Sequence, residues 1–211
     1  MPSIFRHAQP TIKLAVFAAL ALLSLGVTRA EEPAEAFLEA LRNEGYYDVA
    51  LEYLEMARTD PNVSDNFKKS IDNERARVLI ASVSGLRDAE LFNERLDEAQ
   101  QLLARFAQSN PSVKTQAATL QYSGQVYSTR AEQLLKKSKS DRLTASERNQ
   151  LLVQARGFLE QAQSTITQSK ALLERLLDPE SDIALPIDPE DPSTLTELKL
   201  YRRKYTVVTR L

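Results

Sequence analysis

Neighbouring carboxylates are the side chains of this sequence that come closest to an acid–base constellation. Glu52 with Glu55 and Asp97 with Glu98 have the residue types of a hydrolytic acid–base pair. At helical spacing, however, these acids lie opposite apolar stripes, so we interpret them as solvated surface. The 211 residues contain no cysteine, and the single histidine is His7. The sequence therefore predicts no catalytic residue, no metal ligand, no cofactor and no enzymatic activity.

Three tyrosines near residue 50 are the candidates for contact with a ligand. Tyr47 falls on an apolar helical face and is predicted to be core. Tyr46 and Tyr53 are predicted to face a groove, where a ring that carries a hydroxyl group combines apolar contact with a hydrogen bond. We take Tyr46 and Tyr53 as the candidate partner-binding residues.

The elements that position these residues are predicted to be helices. Aromatic residues make up 7% of the chain, tryptophan is absent, and glycine occurs five times. The formal charge is −2, and residues 31–211 carry 24 basic against 29 acidic residues because three of the 27 basic residues come earlier. Such a mildly acidic chain is a poor ligand for phosphate backbones, which excludes nucleic acid as the expected partner.

The first 30 residues have the organisation of an export signal. Arg6 and Lys13 precede an uncharged apolar run over 14–27, and the segment closes at the small residue Ala30. A run of about 14 residues is short for a hydrocarbon core of about 30 Å. The sequence predicts a signal peptide over 1–30 and a periplasmic or secreted protein. The alternatives are an uncleaved anchor, which would be the sole membrane contact, and a buried N-terminal helix.

After Pro33 the apolar residues recur at helical spacing, divided by proline, glycine and capping residues. Gly45 is predicted to end the first helix, and Pro61 to follow the second. Ser64 is predicted to precede the third helix, with Gly85 as its left-handed C-terminal residue, and Asp88 to precede the fourth. The fifth helix is predicted to start with Asn110 as N-cap and Pro111 in the first turn, and the sixth with a capping box of Thr144 and Glu147. The prediction is an all-α array of antiparallel hairpins over 31–177.

The fifth and sixth helices are predicted to be long and to pair as in a coiled coil. Apolar and small residues alternate at spacings of four and three, from Val113 to Leu134 and from Leu152 to Leu176. This alternation is typical of a heptad seam.

The end of the chain changes in character. Residues 178–193 combine four prolines with six acids and no basic residue, which predicts an extended acidic linker. Thr194 and Glu197 offer a capping box for a terminal helix over 194–211. The β-branched residues near Val208 weaken a helix end, so we expect this helix to be loosely docked and the array to be incomplete.

Residues 37–61 resemble a tetratricopeptide repeat (TPR) in the order and spacing of their residues. The matching positions are Gly45 at the turn, Tyr47 as the aromatic, Ala50 and Ala57 as the small residues, and Leu54 as the large apolar residue. Pro61 falls one residue early. A weaker copy keeps Leu96, Ala99, Leu103 and Pro111 but has Glu94 at the turn and Phe106 at a small position. The opening after the signal also looks like the head of large exported repeat proteins of planctomycete bacteria.

The resemblance implies a short TPR-like solenoid that binds a protein or peptide of unknown identity on a concave helical surface, without catalysis. The alternative is a structural spacer of an envelope assembly, in which the long helical pair self-associates or holds other parts apart. Consecutive small residues in the first hairpin favour binding, and the long seam favours the spacer.

Overall fold

The computed structural model describes residues 34–210, and this part of the chain is all-α, without strands. The helices are α1 (Ala34–Asn43), α2 (Tyr47–Thr59), α3 (Asp65–Ser82), α4 (Ala89–Ser109), α5 (Val113–Ser138), α6 (Ala145–Leu177) and α7 (Pro192–Val208). The all-α prediction is confirmed. The predicted signal peptide lies outside the described residues.

Local side-chain caps set several of the helix starts. The Ser64 hydroxyl accepts from the backbone N–H of Phe67, which fixes the start of α3. At the start of α6 the Thr144 hydroxyl accepts from the N–H of Glu147, while the Glu147 carboxylate accepts from the N–H of Thr144. The predicted capping box is therefore confirmed.

Two predicted helix starts are wrong by two or three residues. Asn110 ends α4, since its N–H donates to the carbonyl of Phe106, and Ser112 is the N-cap of α5. Asp191 rather than Thr194 caps α7, and Pro192 follows at the first helical position. In both places several polar residues lie close to a proline, so the sequence did not decide which of them is the N-cap.

The first core lies between α3 and α4, with α2 and α5 beside it. Its buried side chains are Ala76, Leu79, Val83, Phe92, Leu96, Ala99, Leu102, Leu103 and Val126. On α2 the predicted inward residues Ala50, Leu54 and Ala57 are all buried. Helix α2 packs on α3, and α3 packs on both α4 and α5.

Helices α5 and α6 form the most extensive pairing in the described chain. Small residues line much of the contact, with Ala131, Ala155 and Ala162 buried. Helix α6 has 33 residues, or about 50 Å at 1.5 Å per residue. The heptad prediction is wrong for Leu152 and Leu159, which are 40% and 44% exposed. Small partners bring the helices so close that these two larger side chains lie beside the contact.

A second core joins α5, α6, α7 and the segment between α6 and α7. Its buried members are Ala117, Leu173, Leu176, Leu185, Tyr201 and Val208. The predicted extended linker is instead folded against α6, because Leu185 is buried and its N–H donates to the carbonyl of Leu176. The terminal helix, which the sequence analysis expected to be loosely docked, places Tyr201 and Val208 in this core, where they are 6% and 2% exposed.

Between residues 34 and 210, none of the helices combines the length and apolar character needed to cross a bilayer.

Candidate protein-binding surface

Helix α2 presents apolar side chains to solvent along one flank. Tyr46, Val49 and Met56 are 58%, 50% and 59% exposed, and Tyr53 is half-buried. Their spacing of three and four residues places them on one side of the helix. We call Tyr46, Val49, Tyr53 and Met56 the α2 flank.

The turn before α2 fixes the position of Tyr46. Gly45 has φ +78°, a backbone conformation that glycine adopts without a Cβ clash. Its N–H donates to the carbonyl of Arg42, and the N–H of Tyr46 donates to the carbonyl of Leu41. This pair of hydrogen bonds closes the end of α1 as a Schellman motif. The Tyr46 backbone is thus held by the turn, while its side chain remains exposed.

The two sequence-predicted site residues, Tyr46 and Tyr53, therefore lie on the same flank, seven residues apart. Tyr47, predicted to be core, is only half-buried. Val49 and Met56 were missed by the sequence argument, although their spacing relative to Tyr46 and Tyr53 was visible in it. The signal that could have found them is an apolar stripe beside the stripe formed by Ala50, Leu54 and Ala57.

Three of the four acids in the acid pairs of the sequence analysis are engaged in ion pairs between helices. Arg75 of α3 donates to Glu55 on α2 at 3.2 Å and to Glu98 on α4 at 2.9 Å. Arg130 of α5 donates to Asp97 at 2.6 Å. These carboxylates connect neighbouring helices, and Glu52 remains an exposed acid beside the α2 flank.

A buried charged cluster was not predicted from the sequence. The Glu74 carboxylate, in a residue 6% exposed, accepts from Arg42 at 2.7 Å and from Arg77 at 2.6 and 2.8 Å. The Arg77 guanidinium also lies 5.3 Å from the ring centre of Tyr122. Both carboxylate oxygens of Glu74 therefore accept hydrogen bonds. The cluster joins the end of α1 through Arg42, α3 through Glu74 and Arg77, and α5 through Tyr122. Its sequence signal was an acid three residues after Ile71, within the apolar face of α3.

Burial raises the pKa of Tyr122, and the Arg77 charge opposes that rise.

The described residues contain no group of three or more His, Asp or Glu side chains placed to hold a metal ion. The features brought together are thus an apolar flank with an acid beside it and a set of ion-paired helices.

Comparison with known proteins gave no match: no family model, curated protein or solved structure is detectably similar to this chain.

Proposed function

We propose that this chain is an exported protein-interaction module built from TPR-like helical hairpins, without catalytic activity. The observation that carries the proposal is the α2 flank, where three large side chains are at least half exposed on a helix whose other side is buried. Contiguous exposed apolar surface of this kind is typical of a contact site for another protein. An aromatic such as Tyr46 supplies contact area with few rotatable bonds, which suits an interface anchor.

Three features support a TPR-like arrangement. The left-handed Gly45 forms the turn before α2, and the small residues Ala50 and Ala57 are buried on that helix. From α2 to α7 each helix packs on the next, and α3 also packs on α5. Contact between alternate helices is expected when hairpins stack in one direction.

Export rests on the basic, apolar and small-residue order of residues 1–30. The mature protein should begin close to Glu31. N-terminal sequencing of the envelope or secreted fraction checks this, and a sequence that begins at Met1 or Pro2 would reject cleavage.

Site-specific photocrosslinking in the producing cell tests the interaction itself. A benzophenone amino acid in place of Tyr46 should yield a discrete protein adduct, because the flank contacts its partner there. The same amino acid in place of Gln161, an exposed polar residue of α6, is the matched control and should yield none. If the benzophenone amino acid yields no adduct in place of Tyr46 and none in place of Val49, the α2 flank is rejected as a binding surface.

One observation favours the spacer alternative: Leu152 and Leu159 are exposed along the long helix α6. If two copies pair through α6, light scattering should show a dimer that is lost in the Leu152→Gln, Leu159→Gln double variant. If the double variant has the same mass in solution as the wild type, the spacer alternative is contradicted.

A further inference from the structure

The end of α5 and the turn that follows it carry an unpaired positive charge. Residues 136–142 contain one acid, Asp141, and four basic residues, all of them exposed: Lys136, Lys137, Lys139 and Arg142. Within the described part of the chain, the side chains of these four basic residues make no ion pair and no hydrogen bond. We call Lys136, Lys137, Lys139 and Arg142 the basic tip.

The segment between α6 and α7 carries the opposite charge. Residues 178–191 contain no basic residue and six acids, all of them exposed: Asp178, Glu180, Asp182, Asp188, Glu190 and Asp191. Asp182 pairs with Arg175 at 2.7 Å. The other five acids have no cation partner among the described residues. We call residues 178–191 the acidic segment.

Local hydrogen bonds restrain the acidic segment before any partner arrives. The carboxylates of Asp178, Asp188 and Asp191 each accept from the backbone N–H group two residues later. The N–H of Leu185 donates to the carbonyl of Leu176, which ties the segment to the end of α6. A segment ordered in this way loses less conformational entropy when it is bound than a flexible one would.

The basic tip and the acidic segment cannot meet within one copy of the chain. Helix α6 lies between them, and its 33 residues extend about 50 Å. Exposed charges are largely screened from one another beyond about 10 Å at an ionic strength of about 0.1 M. The two regions can therefore attract each other only when they belong to different copies.

From this arrangement we infer that the basic tip of one copy binds the acidic segment of a second copy. The inference goes beyond the proposed function, because it concerns surfaces other than the α2 flank. Opposite charges favour tip against segment, whereas tip against tip or segment against segment would bring like charges together. A copy bound through its tip still offers its own acidic segment, which permits assemblies longer than a dimer.

A second acid-rich stretch, residues 44–55, is a weaker match for the basic tip. Asp48 and Glu55 in this stretch already pair with arginines. Glu44 and Glu52 remain without a cation partner among the described residues, against five such acids in the acidic segment. The difference in unpaired charge therefore favours the acidic segment as the occupant of the tip.

Sedimentation equilibrium of the purified protein tests the inference. The wild-type mass should exceed that of a monomer and rise with protein concentration at an ionic strength of about 0.01 M, where the Debye length is about 30 Å. It should return to the monomer value at about 1 M, where the Debye length is about 3 Å.

Charge reversal on either side of the contact should weaken the association. The Lys139→Glu, Arg142→Glu variant changes the basic tip, and the Glu180→Lys, Glu190→Lys variant changes the acidic segment. Each should raise the dissociation constant at least about tenfold, because like charges then meet in the contact. Mixing the two variants in equal amounts should restore association, since the unchanged tip of one meets the unchanged segment of the other.

Matched controls separate this contact from a general effect of charge. The Lys69→Glu, Arg87→Glu and Glu44→Lys, Glu52→Lys variants make the same charge changes elsewhere and should associate as the wild type does. Circular dichroism should show unchanged helix content in all four variants, because every substituted residue is exposed. If the Glu44→Lys, Glu52→Lys variant loses as much association as the segment variant, the inference is overturned.

The absence of cysteine from the sequence allows a direct test of the contact. Ser140→Cys places a thiol in the turn of the basic tip, and Ile187→Cys places one in the acidic segment, at a side chain that is 40% exposed. A short bis-maleimide should link the two variants to each other faster than it links either variant to itself. Linking of Ser140→Cys to itself at the same rate would overturn the inference.

Three further outcomes would overturn it. The first is a wild-type protein that stays monomeric at low ionic strength, and the proposed function stands if the Tyr46 crosslink still captures another protein. The second is association that ignores salt and both charge variants and is lost in the Leu152→Gln, Leu159→Gln variant. The third is a monomer that binds vesicles of anionic phospholipid through Arg142, which would assign the tip to a membrane surface. Absence of both crosslink and association would reject inference and function together.

Discussion

Gly124 and Ser169 allow α5 and α6 to pack closely. A Cβ at Gly124 would lie 2.5 Å from Cγ1 of Ile166, closer than real Cβ atoms approach other atoms, and 3.0 Å from Oγ1 of Thr165, which is an unusually tight contact. Ser169 is fully buried, and its hydroxyl donates to the carbonyl of Ala117 at 2.7 Å. The small residue provides the space, and the serine satisfies its own polar group in the contact.

Gly124→Ala should lower the free energy of unfolding by up to about 2 kcal/mol. Overpacking against Ile166 costs about 1 to 3 kcal/mol, and the better helix propensity of alanine offsets part of this cost. Gly157 of α6 is the matched control, since a Cβ there meets nothing within 4 Å. Gly157→Ala should stabilise the protein by about 0.5 to 1 kcal/mol in urea unfolding. Equal stabilisation by both substitutions would show that α5 and α6 are not in close contact at Gly124.

At the scale of the element, α6 depends on its capping box. The Glu147 carboxylate accepts hydrogen bonds from the backbone N–H and the hydroxyl of Thr144, both at 2.8 Å, and these bonds lower its pKa. The folded pKa is below the unfolded one, so this contribution is present above the ordinary value and is lost as the pH falls through the folded pKa. The start of α6 should thus loosen in acid.

Thr144→Ala should remove the cap and destabilise the start of α6 by about 0.5 to 2 kcal/mol. Amide hydrogen exchange over residues 147–152 should become faster, because those N–H groups lie in the first turns of the helix. Thr167→Ala changes an exposed threonine within the same helix and should leave exchange unchanged or slower, since alanine is the better helix former. Unchanged exchange at residues 147–152 in Thr144→Ala would contradict the role of the box.

At the scale of the whole molecule, the second core depends on Tyr201 of α7. Burial, and then the nearby Glu197 charge, raise the pKa of Tyr201 to about 12. The unfolded phenol titrates near its ordinary value of 10.0. Below that value both states are protonated and the stability is full. As the pH rises from there towards 12, the unfolded state loses its proton first and the stability falls.

The Tyr201→Phe variant should lose less stability than the wild type between roughly pH 9 and roughly pH 11, because the phenol that must stay protonated is absent. Urea unfolding at both pH values gives the comparison. Tyr46→Phe, which changes an exposed tyrosine, is the control and should follow the wild type. An equal alkaline loss in wild type and Tyr201→Phe would mean that Tyr201 ionises as readily in the folded state as in the unfolded one.

The sequence by itself determined the helical class, most helix boundaries and the best-defined cap. Hydrophobic spacing, the Gly45 turn and the box of Thr144 with Glu147 all depend on residues within one or two turns of each other. Such local interactions can be predicted from a short segment of the sequence. The exposed position of Tyr46 was also predicted from the sequence. Val49 and Met56 could be assigned to the same surface only when the exposure of each face of α2 was known.

The tertiary structure alone decided which apolar and charged residues are covered. Leu152 and Leu159 keep the heptad spacing yet lie beside the contact, and the segment around Leu185 reads as a linker yet packs into the second core. Glu74 is buried because Arg42, 32 positions away, neutralises it together with Arg77. The physical reason is common to these cases: burial depends on neighbours distant along the chain, and local spacing does not specify which neighbours those are.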